Sequence, residues 1–338
     1  MKRFAVHNWT KAAAALMVAV TSVSMFATLR STPSVQSVQA RSDAALAEPT
    51  FDRAFWKTWG DGQAELAGYQ LTASRYGELR EGSAVTIFVT ETFSNEDRVK
   101  ADPGQHARSD EFPVMKLNLI KDFPTGVYDY NLMTSTFVAM RAVNSRPAGQ
   151  ATKVSFSSQE WCGHAYQQML FDPAQVRYMS HSYFDGEGDE SRTLENPDRG
   201  IAEDVLFHWA RGHAAPAVEA GQSVTVDSLM SATEARLKHQ NIAWRKTTLS
   251  IDAQPTTITV PAGEFETSVR KAVVEGGLTW TFYVETAWPH RIIQWETSDG
   301  EVAKLLAAKR MKYWQMNRNG FEQSLKDIGL KPRDPLMP

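Results

Sequence analysis

EFETSVRKAVV at 264–274, EGG at 275–277 and LTWTFYVE at 278–285 read as strand, tight turn and strand. Branched and aromatic side chains suit a pleated surface, and Trp280, Phe282 and Val284 recur at every second position, so one face of the second run is apolar. Pro289 interrupts the chain, residues 291–297 resume the extended pattern, and Asp299-Gly300 is the dipeptide that type I′ hairpin turns favour. Residues 301–314 return as a further strand. Beyond them, Asn319 with Glu322 three residues on reads as a capping box for a short helix that ends at Gly329, ahead of Pro332.

The same period of two runs through the front half. In SAVTIFVTE (83–91) the side chains of Val85, Ile87 and Val89 share one face, and residues 63–76 are predicted to pair with this run as a hairpin. Polar residues 95–112 make a loop, and strands follow at 114–120, 126–140 and 152–158. Residues 167–183 read as a hairpin turned near Asp172-Pro173. Two helices punctuate the strands. Phe51, Phe55 and Trp59 sit four apart behind Thr50 as N-cap, and residues 203–213 form a central helix with Gly212 and Pro216 near its end.

Hairpins in series, without a helix between strands, exclude a parallel doubly wound sheet. A long antiparallel meander protects its edges by curling. The predicted fold is therefore mostly β: a hairpin-connected curled sheet or β-barrel with a few short peripheral helices, with an open sandwich as second choice. Neither a fixed-period repeat nor a low-complexity linker divides the body, so residues 41–338 are expected to form one domain.

The first 40 residues set the expected compartment. Lys2, Arg3 and Lys11 precede an uncharged, largely apolar run at 12–29, and Val38-Gln39-Ala40 fits a signal-peptidase site. The run is also near the minimum length of a membrane-spanning helix, so it reads either as a cleaved signal peptide or as an inner-membrane anchor. Both readings place the body in the periplasm or another extracytoplasmic space. Cys162 is the single cysteine, so no intramolecular disulfide forms and the core must hold the fold. With 42% hydrophobic residues the chain can build such a core. A net charge of −3 lacks the cationic surplus that a nucleic-acid partner needs.

Val260-Pro261-Ala262-Gly263-Glu264-Phe265, a Trp-bearing strand, and then Pro289, Arg291, Ile292, Asp299 and Gly300 resemble a family of exported proteins known mainly as a domain of unknown function. In that family V-P-A-G-x-F opens a strand of a periplasmic β-barrel-like fold, and the resemblance covers about the last 100 residues. It implies a fold and a compartment; the family offers no catalytic set to carry over. Residues 71–79 (LTASRYGEL) also echo the signature of the Maf nucleotide pyrophosphatases. The S-P-R-R core of that signature is missing here, and those enzymes are cytosolic and α/β.

Candidate chemistry is sparse. Trp161-Cys162-Gly163-His164 places a thiol and an imidazole two residues apart, which could pair as nucleophile and base if the thiol were acidified; a packed cysteine in an aromatic hairpin is the plainer alternative. Asp185, Glu187 and Asp189 alternate as in a calcium loop, but Asn196 stands where the bidentate acid belongs, so a solvated hairpin tip is expected and no metal site. His208 and His213 are five apart, one too many for a chelating pair on a helix face. Gly221-Gln222-Ser223 opens like a hydrolase elbow but lacks its second glycine. No Walker loop, H-E-x-x-H or C-x-x-C motif appears, and no cofactor is expected.

Two functional classes remain. One is a non-catalytic module with an aromatic-lined concavity for a lipid or an envelope polymer, for which Trp280, Phe282, Tyr283 and Trp295 are the candidate lining residues. The other is a hydrolase or transferase using Cys162 and His164. A structural envelope protein that meets partners through the 95–112 loop is a third possibility.

Overall fold

The computed structural model describes residues 47–198 and 200–332. The leader at 12–29 and the cleavage site at Ala40 lie outside them. Among the described residues, sixteen strands form a single sheet in which all pairings but one are antiparallel.

Eight strands run in chain order away from the first. They are β1 (Ala64–Arg75), β2 (Glu78–Ser94), β3 (Glu111–Pro124), β4 (Asp129–Ala139), β5 (Ala151–Glu160), β6 (Gly163–Phe171), β7 (Gln175–Ser182) and β8 (Glu190–Glu195). Alternation is clear in this arm: Thr152, Val154, Phe156 and Ser158 of β5 are buried, as are Ala165, Gln167, Met169 and Phe171 of β6.

The second arm runs backwards from the last strand. β16 (Val302–Met311) pairs with β1 from Ala64↔Met311 to Thr72↔Val302. Outward from it come β15 (Ile292–Thr297), β14 (Thr279–Glu285), β13 (Gly263–Val274), β11 (Trp244–Ile251), β10 (Ser223–Leu229) and the two-residue β9 (Ile201–Ala202). β12 (Thr256–Val260) pairs with β13 alone, and β9 with β10 is the parallel pairing.

The sheet is strongly curled. β4 and β14 stand six places apart in the strand order, which in a flat sheet is about 29 Å at roughly 4.8 Å per strand. Yet consecutive residues of one short helix, α2 (Leu206–Ala210), reach both. The His208 Nε2 lies 2.8 Å from Thr136 Oγ1 of β4, and the Phe207 ring meets Phe282 of β14 at 5.2 Å and Trp295 of β15 at 5.0 Å. The ladder does not close. Instead the Trp244 indole of β11 donates to the Glu195 carbonyl of β8 at 2.8 Å, and Arg192 donates to the Ile242 carbonyl at 3.2 Å, so side chains span the gap between the arms.

All five residues of α2 are buried. A helix apolar on every side belongs inside, and α2 fills the hollow of the curled sheet. It is shorter than the predicted 203–213: residues Glu203–Val205 form a 3-10 turn before it, and the chain turns away at Gly212, whose φ of +74 glycine alone adopts freely. Two cap readings also change. In α1 (Arg53–Trp59) the N-cap is Asp52, not Thr50, since its carboxylate accepts from Phe55 N at 2.9 Å and Thr50 stands too far out. At the C-terminus the element is a 3-10 helix, Glu322–Ile328, without a side-chain cap; Glu322 accepts instead from Gly320 N. It does end at Gly329, in the left-handed region. No described helix is long and apolar enough to cross a membrane.

Candidate functional site

The site forms where a helix that covers one end of the hollow faces α2. This helix, α3 (Ala232–Lys238), starts at Ser231, whose Oγ accepts from Glu234 N at 3.1 Å, and ends at His239 with φ +54. Tertiary bonds hold it over the opening. Thr233 meets Thr134 of β4 at 3.3 Å, and Arg75, at the end of β1, donates to the Leu237 carbonyl at 2.8 Å.

Between α3, the start of the α2 segment, strands β1, β3, β4, β14 and β15 and the turn at 299–301 lies a cavity of about 340 Å³. Leu119, Leu206, Phe207, Leu237, Leu278 and Trp280 give it an apolar lining, with Tyr76, Lys238 and Asp299 exposed at its mouth. Its polar groups converge from four directions. Glu203 and Glu234, with side chains 2% and 4% exposed, are clasped together by Arg245. Lys238 lies 2.8 Å from Glu234, and the Ser228 hydroxyl donates to Glu203 at 3.0 Å. Burial pushes Glu203 up while Arg245 pulls it back; Glu234 is buried too, but with two cations beside it is held below the usual carboxylate range. The two acids shift in opposite directions because Glu203 is the more deeply buried and feels the Glu234 charge, whereas Glu234 has Lys238 as a second cation. Across the cavity Lys121 Nζ sits 2.5 Å from Glu301, which also accepts from the Trp295 indole at 2.9 Å.

Asp204 differs from the other acids. It is buried among the cavity residues, and its hydrogen bonds come from backbone N–H groups, Ala232 N at 3.2 Å and its own. Burial, with the Glu203 charge adding to it, pushes its carboxyl up to about 7, opposed chiefly by the Ala232 N–H. At the mouth, Tyr76, Tyr128 and Tyr130 form a phenol chain. Tyr76 and Tyr130 oxygens lie 2.6 Å apart, and Arg75 stacks over Tyr76 and donates to Tyr130. Burial works to raise Tyr76, but its phenolic neighbours and the Arg75 charge bring it below its ordinary value.

Three of the four predicted lining residues gather around Phe207. Trp280 lines the cavity; Phe282 stacks behind it at 5.8 Å and 7°; Trp295 lies fully buried beneath. Tyr283, one residue out of phase, falls on the opposite face of β14 and outside the cavity lining. Cys162 and His164 are exposed at the β5–β6 turn, away from the cavity lining, and hydrogen bonding to Glu160 pushes the Cys162 thiol up, against the thiolate that a nucleophile needs. In the 185–190 loop Glu187 takes His239 and Arg236, and Asp189 takes His181 at 2.9 Å. Among the described residues no cluster of three acids, histidines or cysteines could hold a metal ion. His208 and His213 are core residues. Burial first, then the Arg211 charge, pushes His208 down to about 3 and lowers His213 as well.

The acids and cations of the cavity escaped sequence reading because they come from distant segments. One signal was present: Ser231-Ala232-Thr233-Glu234 is a capping-box pattern, and it marks α3. No protein-family model, curated protein or solved structure matches the chain.

Proposed function

We propose that the protein is a non-catalytic binding module of the cell envelope that holds a small amphipathic molecule, or one end of a lipid, in the cavity beneath α3. The observation that carries this reading is the cavity itself. Its volume falls at the small end of the roughly 300–1,000 Å³ typical of ligand sites, and an apolar lining with a few convergent polar groups is the usual composition of such sites. Most of the polar groups are committed to one another in ion pairs, which suits a preformed receptor better than a set of reacting groups. The leader and the V-P-A-G-x-F resemblance support an exported, periplasmic setting, in which residues 12–29, if uncleaved, tether the body to the inner membrane.

The test uses N-phenyl-1-naphthylamine, an amphiphile uncharged at neutral pH whose emission rises in apolar surroundings. Native protein is expected to bind one probe per chain. Leu237→Trp, which fills the cavity from α3, should weaken binding at least tenfold while the far-ultraviolet circular dichroism stays native. Equal binding by the two proteins, or none by the native one, would refute the reading.

A further inference from the structure

The charges around the cavity do not cancel. Lys121 is committed to Glu301 and Lys238 to Glu234, while Arg245 clasps Glu203 and Glu234. Arg75, on β1, spends its Nη1 on the Leu237 carbonyl and its Nε and Nη2 on the Tyr130 phenol. Three of these cations are thus paired with carboxylates, and Arg75 is turned onto neutral acceptors at the edge of the site. Asp204 and Asp299 are left: no described cation lies within 4 Å of either, Asp299 accepts from the Thr297 hydroxyl, and Asp204 meets only backbone N–H groups, that of Ala232 and its own. Of the two, Asp299 is exposed at the mouth and can be met by solvent ions, whereas Asp204 is buried at the cavity wall beside the apolar Leu206 and Phe207.

Resting on the binding reading above, we propose that the ligand carries a protonated amine, which pairs with the Asp204 carboxylate while its apolar body lies against Phe207 and Trp280. An anionic head would meet occupied cations and a surplus of acids. A hydroxyl would gain no ion pair, since Asp204 then keeps its proton. An ammonium supplies the missing counter-charge, and aromatic faces attract it further. The pairing has a signature that packing alone does not produce. Free Asp204 is largely protonated at pH 6, because burial raises it to about 7. An ammonium beside it favours the charged form, so the amine must displace a proton on binding.

Titration calorimetry of the native protein at pH 6, in two buffers of different ionisation enthalpy, reads this directly with decylamine, decanol and decanoate as probes. Decylamine is expected to bind at least tenfold more tightly than decanol and to release more than half a proton; decanol should release none. Asp204→Asn, which keeps an oxygen for Ala232 N, should bring decylamine down to the affinity of decanol and abolish its proton release, with a native far-ultraviolet circular dichroism spectrum reporting that the variant is folded. If that variant fails to fold, proton release by the native protein decides. Decanol or decanoate binding as tightly as decylamine, or an amine preference that survives Asp204→Asn, overturns the amine while the binding reading stands. Binding of none of the three removes both. Dihexanoylphosphatidylethanolamine then separates two sources of the same chemistry: binding that again depends on Asp204 assigns the ammonium to a lipid headgroup, and binding by decylamine alone assigns it to a free amine.

Discussion

Replacing Arg245 by leucine leaves Glu203 and Glu234 facing each other in the interior with Lys238 as their remaining cation. Both carboxylates are nearly solvent-free, at 2% and 4% side-chain exposure, so water cannot substitute for the guanidinium. Breaking a buried ion pair from one side typically costs about 3–5 kcal/mol, because the orphaned charge stays buried. Here the burden falls mainly on Glu203, since Lys238 still pairs with Glu234. The cost must also depend on pH. In the variant, burial and the neighbouring acid raise Glu203 in the folded state above its unfolded value, so the penalty is full above the raised value and fades as pH falls toward about 4.3. In the native protein Glu234 is held below its ordinary value, and its contribution is present at neutral pH and lost as pH falls through that lowered range. The two stability curves should therefore converge on acidification. Urea denaturation at pH 7 and pH 5 measures this, provided the slope of free energy against urea is the same in both proteins. Adding Glu203→Gln to Arg245→Leu should recover much of the loss at pH 7. A cost under about 1 kcal/mol at pH 7, or the same cost at both pH values, would refute the reasoning.

Two further outcomes follow from close contacts elsewhere. A Cβ at Gly68 would sit 2.2 Å from the Ile328 carbonyl oxygen, so Gly68→Ala should push the C-terminal 3-10 helix off β1, with a loss of about 1–3 kcal/mol and earlier proteolytic cleavage within 322–332; an unchanged digestion pattern would contradict it. Cys162 should react with a thiol reagent in the native protein without denaturant, and Glu160→Gln, which removes the carboxylate that pushes the thiol up, should speed that reaction at pH 7.5; a slower reaction in the variant would show that Glu160 acts otherwise.

The strands that alternate cleanly were the ones legible beforehand. Trp280, Phe282 and Val284, or the Asp299-Gly300 turn, announce themselves because their spacing is a local property of the chain. Ser223–Leu229 and Trp244–Ile251 went unread although both are strands, since the polar residues Thr225, Asp227, Arg245 and Lys246 break up their apolar character. The site was legible only in its aromatic floor. Trp280 could be proposed because a large ring on an apolar face must pack against something. Asp204, Lys121 and Arg75 could not, because their meaning lies in one another's proximity, across segments up to 129 residues apart in the sequence. Of the four aromatics only Trp280 lines the cavity; Phe282 and Trp295 pack behind it, and Tyr283 follows the simplest rule of a strand, that neighbours point to opposite faces.

The pairing of β1 with β16 joins residues 64 and 311, at opposite ends of the body. Each arm can zip up hairpin by hairpin as the chain emerges, but the seam waits for nearly the whole polypeptide. Until then β1 and β15 each offer a bare row of amides and carbonyls to any passing strand, and contacts so remote in sequence form slowly. The nascent chain therefore needs shielding along two edges at once, and a truncation that removes the last thirty-seven residues, β16 among them, would leave an otherwise complete meander prone to join its neighbours.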